Sequence, residues 1–259
     1  MAIQDVGIFI PARRAATRLP EKLLLAETGR PLILHTCEQA AAYGKVQVTV
    51  CTDDDEIARL IEAAGYRSFR SQQDHQSGTD RIIEAVDGIH GSESPSIIVN
   101  VQGDEPEIAP EAIRQVVDLL AQHPWADIAT LCAPAGADAQ VDPNQVKVVR
   151  GADDRALWFS RAPVIYERDR QSPMSSCERH LGLYAYRREA LQRWPQLPVG
   201  RLETCEKLEQ LRALEHGLTI ACGQVTTAWP GIDVRADYDA FLTRWNSTQP
   251  QAEQVSGHG

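Results

Sequence analysis

The 259-residue chain predicts an α/β fold, a doubly wound and mainly parallel sheet carrying a smaller α+β lobe. Two observations predict it. Apolar β-type runs alternate with amphipathic helical patterns through the first half, and that β-α-β-α order favours right-handed crossovers with helices on both faces of a parallel sheet. The runs are also apolar without alternation, the pattern of strands buried on both sides.

Taken in order, Val6 to Ile10, Val46 to Cys51 and Ser96 to Val101 read as these buried strands. Pro31 to Tyr43 and Pro110 to Gln122 read as helices, each opening with proline in its first turn, where the missing N–H costs nothing. Asp53 to Ala64 is the clearest helix: Asp53 and Glu56 resemble a capping box, Ile57, Leu60, Ile61 and Ala64 form one face, and Gly65 closes it. After about residue 132 the pattern changes to short strand-like pieces, Val146 to Arg150, Ala156 to Phe159 and Leu181 to Arg187, separated by polar segments such as Tyr166 to Glu178. This stretch, about 133–200, reads as an inserted lobe for sugar binding and dimerisation. A long helix from Leu202 to His216, a strand from Leu218 to Val225 and a short helix from Ala236 to Trp245 return to the main sheet. Residues 1–245 thus form one domain, and 246–259 read as a disordered tail.

Composition narrows the function. A net charge of -10 argues against a nucleic-acid partner, because duplex binding needs a basic face that releases counterions. No run approaches the ~18 apolar residues of a membrane span, and the N-terminus has no leader pattern. The six cysteines include no C-x-x-C pair, and several lie in apolar runs, so reduced, buried thiols and a cytoplasmic address are expected.

The candidate site begins where the first strand runs into Pro11-Ala12-Arg13-Arg14-Ala15-Ala16-Thr17-Arg18-Leu19-Pro20-Glu21-Lys22. Ligands of parallel α/β sheets sit outside the carboxyl ends of strands, and a cationic loop there suits a polyphosphate. Neither G-x-x-x-x-G-K-[ST] nor G-x-G-x-x-G follows that strand, so cationic side chains rather than glycine-rich backbone must hold the phosphates. Val99-Asn100-Val101-Gln102-Gly103-Asp104-Glu105-Pro106 places a carboxylate pair at another strand end, the position for a hard divalent cation bridging phosphates. Asp233 in Gly231-Ile232-Asp233-Val234-Arg235-Ala236-Asp237 is either a second such carboxylate or the N-cap of the last helix. Gln73-Asp74-His75-Gln76-Ser77-Gly78-Thr79-Asp80-Arg81 suits recognition of a planar base, or simply caps the helix that follows. Ser160-Arg161 and Arg179-His180-Leu181-Gly182-Leu183-Tyr184 supply groups matching an acidic sugar. Cys177 and His180 lack the further ligands of a zinc site.

Read together, Ile10-Pro11-Ala12-Arg13 through Arg18-Leu19-Pro20-x-Lys22, Asp74 to Arg81, Val99 to Pro106, Arg179-His180-Leu181-Gly182, Leu208-Glu209-Gln210-Leu211-Arg212 and Gly231-Ile232-Asp233 resemble the 3-deoxy-manno-octulosonate (Kdo) cytidylyltransferases. The resemblance implies a nucleotide-diphospho-sugar transferase fold and a homodimer that joins CTP to Kdo with Mg2+ for lipopolysaccharide synthesis. It also implies roles: Arg13, Arg18 and Lys22 on the phosphates, Gln76, Ser77, Gly78, Thr79, Arg81 and Gln102 around the cytidine, and Asp104 and Asp233 on the metal. Arg161, His180, Tyr184, Glu209 and Gln210 fall on the sugar acid, and Arg13, Lys22, Asp104 and Asp233 form the catalytic set. Two departures stand out: Glu21 places a carboxylate in the phosphate loop, and Val234-Arg235-Ala236-Asp237 replaces the family's Thr-Pro-Glu-Asp. They leave room for another acidic sugar as substrate, or for a silent CTP-binding homologue.

Overall fold

The computed structural model describes residues 5–14, 18–75, 77–89, 95–166, 168, 178–227 and 229–248. Strands β1 (Val6–Ala12), β2 (Gln47–Thr52), β3 (Arg67–Arg70) and β4 (Ile97–Asn100) are mutually parallel and alternate with α1 (Leu32–Ala41), α2 (Asp55–Ala63) and α3 (Gly78–Ile89). Side chains alternate across the pleat, so Ile8 and Ile10 enter the core shared with α1, while Phe9 enters the opposite core with Ile82 and Val86 of α3. The expected doubly wound half is present.

Beyond it lie α4 (Pro110–Gln122), β5 (Ile128–Pro134), α5 (Ala137–Val141), β6 (Lys147–Arg150), β7 (Ala156–Ser160) and β8 (Glu178–Arg187). Then come α6 (Arg188–Arg193), α7 (Arg201–Glu206), α8 (Gln210–Glu215), β9 (Ile220–Gln224) and α9 (Arg235–Thr248). Among the described residues the sheet runs β3-β2-β1-β4-β8-β5-β9, with β6 and β7 branching from β8. Strand β8, which falls inside the stretch set apart by its polar composition, is a central strand. Its C-terminal half pairs antiparallel with β4, and most of its length pairs with β5.

Three local expectations are corrected. The cap of α2 is Asp54, whose Oδ1 accepts from the N–H groups of Glu56 at 2.9 Å and Ile57 at 3.0 Å. Asp53 instead accepts from Arg81 Nη2 at 2.8 Å. The helix expected from Leu202 to His216 is two helices, α7 and α8, broken where Lys207 is left-handed at φ 53°. Helix α9 extends through Thr248, so residues 246–248 are helical, and the rest of the expected tail lies outside the described residues.

Candidate active site

Residues far apart in sequence converge at the carboxyl ends of β1 and β4. The turn after β4 presses against the β1 loop so closely that a Cβ on Gly103 would lie 3.0 Å from Pro11 O and 3.1 Å from Ile33 Cδ1. A side chain there would have to push the β1 loop or Ile33 back by a few tenths of an ångström. Thr36 Oγ1 donates to Gly103 O at 3.0 Å, and Ile232 N–H donates to Asp104 O at 2.9 Å, which ties the segment before α9 to the same turn. Leu19, Leu32 and Ile232 are buried with Tyr238 and Phe241 of α9, so one small apolar cluster fixes both the cationic loop and Asp233.

Lys22 is the centre of the cluster. Its Nζ donates to Asp104 Oδ2, to Ile232 O at 2.8 Å and to Asp233 Oδ1 at 3.3 Å, and Arg18 lies 3.7 Å from Asp233. The side chain of Asp233 is therefore turned into the cluster and does not cap α9; Asp237 does that work, accepting from the N–H groups of Asp233 and Val234 at 2.9 Å. Arg235 in that departing segment holds Glu27 with two bonds of 2.7 Å. Glu21 adopts a left-handed conformation at φ 54° and accepts from Arg14 at 2.7 Å. Arg14 also pairs with Glu56 of α2, so Glu21 is held by a cation that α2 shares.

A cavity of about 420 Å³ opens over this cluster. Arg13, Arg18, Lys22, Asp104 and Asp233 line it, and Ser77, Gly78, Arg81 and Gln102 form another part of its wall. Arg81 is 4% exposed. Ser77 Oγ also accepts from Asp80 N–H at 3.1 Å, so this loop both caps α3 and faces the cavity. Gln76 lies outside the described residues. His75 lines the cavity too, its Nε2 2.5 Å from Glu84 Oε2; it sits inside a loop marked by the sequence, but with no assigned role.

A second cavity of about 390 Å³ adjoins the first, and Gly78, Gln102 and Glu209 belong to both. Arg161, Tyr184 and Gln210, three of the residues that the resemblance assigns to the sugar acid, line it. Thr79 lines this second cavity and donates Oγ1 to Glu209 Oε2 at 2.7 Å. The guanidinium of Arg161 donates to Glu206 O at 2.7 Å and Pro143 O at 2.9 Å, which anchors it to the end of α7. His180 lines neither cavity. Its Nε2 lies 2.9 Å from Thr130 Oγ1, its ring packs on Phe159 and Tyr184, and burial beside Arg179 lowers its pKa to about 3. Those contacts hold the ring against Phe159 and Tyr184, outside the lining of both cavities.

Sequence reasoning also passed over Asn100, Tyr186 and Trp194, which line the second cavity. It left Glu105 without a role. Trp229 Nε1 donates to Glu105 Oε2 at 2.8 Å, and burial pushes the Glu105 carboxyl up to about 7. Burial likewise raises Glu209 and Tyr184.

Asp104 and Asp233 fit a magnesium-type ion. Among the described residues no group of three or more His, Cys, Asp or Glu could hold a metal, so an ion held by this pair would need phosphate oxygens and water as its remaining ligands. The ammonium of Lys22 already stands between the two carboxylates as a cation would.

Comparison with known proteins gives the family. The family described as cytidylyltransferase matches residues 7–220. The 3-deoxy-manno-octulosonate cytidylyltransferase of Nitrosococcus oceani is 45% identical over 242 residues, covering 90% of this chain and 93% of its own. That of Rhodopirellula baltica is 46% identical over 248 residues, covering 93% and 98%. A solved CMP:2-keto-3-deoxy-manno-octonic acid synthetase complexed with CTP superposes with a TM-score of 0.88 at 35% identity, covering 95% of this chain and all of that one. The chain belongs to the cytidylyltransferases and, within them, to the 3-deoxy-manno-octulosonate cytidylyltransferase family.

Proposed function

We infer that the protein joins CTP and Kdo to give CMP-Kdo and pyrophosphate. The observation that carries this is the pair of adjoining cavities, one lined by cations and the other by polar and aromatic side chains, with Gln102 and Glu209 in their common wall. In the first, Arg13, Arg18 and Lys22 would neutralise the triphosphate, and Arg81 and Gln102 would border the cytidine. In the second, Arg161, Tyr184, Glu209 and Gln210 would orient the sugar acid so that its anomeric oxygen meets the α-phosphorus in line. The new P–O bond forms as the bond to the bridging oxygen breaks, and pyrophosphate leaves with that electron pair. Asp104 and Asp233 would hold a divalent cation that, when bound, neutralises phosphate charge and makes the hydroxyl more acidic. Glu21 engaged with Arg14, and Asp237 capping α9, remove the reasons for expecting a silent homologue.

We also propose that the protein is a cytoplasmic homodimer serving lipopolysaccharide synthesis. Val141, Leu157, Ile165 and Tyr166 are 69%, 53%, 52% and 83% exposed and are the apolar side chains that a partner would cover. No helix among the described residues is long and apolar enough to cross a membrane. Pyrophosphate release with CTP, Mg2+ and Kdo, run beside ATP, GTP and UTP and beside a panel of other sugar acids, tests the reaction. Equal release with a different sugar acid, or none with Kdo, would displace this assignment.

A further inference from the structure

Each of the three N–H bonds of the Lys22 ammonium has an acceptor within the cluster: the Asp104 carboxylate, the Asp233 carboxylate and the carbonyl of Ile232. The side chain is only 14% exposed, and the short 3-10 turn Lys22–Leu24 that carries it is anchored by buried Leu19 and Leu23. The ammonium can therefore change partners by rotating its stem while the loop stays in place. The carboxylates it binds are the two that would hold the divalent cation, and the cavity that contains them also contains Arg13 and Arg18.

We propose that Lys22 is the built-in counter-cation of the carboxylate pair in the nucleotide-free protein, and that a triphosphate must draw it away before a divalent ion can enter. This rests on the reading of Asp104 and Asp233 given under Proposed function. An ammonium and a divalent ion at the same two carboxylates repel each other strongly at such short range, in a partly buried site where water screens poorly. A triphosphate entering beside Arg13 and Arg18 offers the ammonium new anionic partners. It also supplies the oxygen ligands that two carboxylates alone lack. Nucleotide and cation consequently load together, and cation alone binds weakly.

The prediction has opposite signs for the two ligands. Binding of Mn2+, followed by the electron paramagnetic resonance of the free ion and corrected for the Mn2+ that CTP takes up in a protein-free control, is measured without sugar for the wild type, Lys22→Met, Lys22→Gln and Lys22→Arg, each with and without CTP. In the wild type CTP tightens Mn2+ binding by about tenfold or more; in Lys22→Met and Lys22→Gln, Mn2+ alone binds at least about tenfold more tightly than to the wild type. CTP alone, measured calorimetrically, binds those two variants more weakly, and Lys22→Arg keeps the weak Mn2+ binding because it keeps the charge. Unchanged or weaker Mn2+ binding to both neutral variants, with CTP still tightening it in the wild type, overturns the counter-cation role while leaving the metal site standing. Absence of Mn2+ binding to the wild type even with CTP overturns both.

Discussion

Asp104 receives bonds at both ends: its backbone carbonyl accepts from Ile232 N–H, and its carboxylate takes the Lys22 ammonium. Asp104→Asn keeps the shape and removes the charge. Pyrophosphate release should fall by about 100-fold or more with the melting temperature nearly unchanged, the size expected when one electrostatic group of a transfer site is lost. A second residue, His35, is 2% exposed, with Nε2 2.7 Å from Thr28 Oγ1 and its ring edge-on to Phe241 and Trp245. Burial first, then the charge of Arg30, lowers its pKa to about 4, with Glu38 opposing. The unfolded chain takes up this proton first, so stability present above about pH 6.5 is lost as pH falls through 4, by up to roughly 3 kcal/mol. The wild type should lose melting temperature more steeply than His35→Gln between pH 7 and pH 4.5; parallel curves would refute it. Lys22 and Asp104 were legible in the sequence because a strand end followed by charge is itself a positional signal, whereas the residues alone left Asp233 open between a carboxylate of the cluster and a helix cap. His180 was not, although it shares a strand face with Gly182 and Tyr184: the strand runs on past the cavity, and residue type alone cannot say where the cavity ends.

At the scale of elements, the break between α7 and α8 shapes the second cavity, because Lys207 turns left-handed and Glu209 and Gln210 follow it into the wall. Arg212 clamps the two helices together with bonds of 2.7 Å and 2.6 Å to Glu203, both side chains being about 10% exposed. Removing one partner strands the other charge. Arg212→Ala should cost about 3–5 kcal/mol in urea unfolding, and the double replacement of Glu203 and Arg212 by leucine should recover most of it. The loss should also raise the KM for the sugar acid more than that for CTP. Nothing in the sequence marked this break, since no glycine or proline interrupts residues 202–216. The cap of α2 was misread for a simpler reason. Two consecutive aspartates precede the helix, and the first is claimed by Arg81 from α3, a contact no local pattern reports.

For the whole molecule, the parallel half followed from sequence because each strand there neighbours elements adjacent in the chain or separated by one crossover. The second half did not, because β8 enters antiparallel between β4 and β5 and pairs residues that lie 84 to 90 positions apart on one side and 44 to 58 on the other. The exposed apolar residues of 141–166 lead to one prediction at this scale. Light scattering should give the mass of two chains, and Leu157→Asp with Tyr166→Asp should shift it toward one with the fold intact; a monomeric wild type would contradict the proposal. Gly78, Gln102 and Glu209 belong to both cavities, like a party wall between two rooms. Whatever affinity one substrate gains from its neighbour's presence, the neighbour must gain in equal measure. A lesion in that wall therefore cannot be charged to either tenant alone, and occupancy on one side becomes a reading of occupancy on the other.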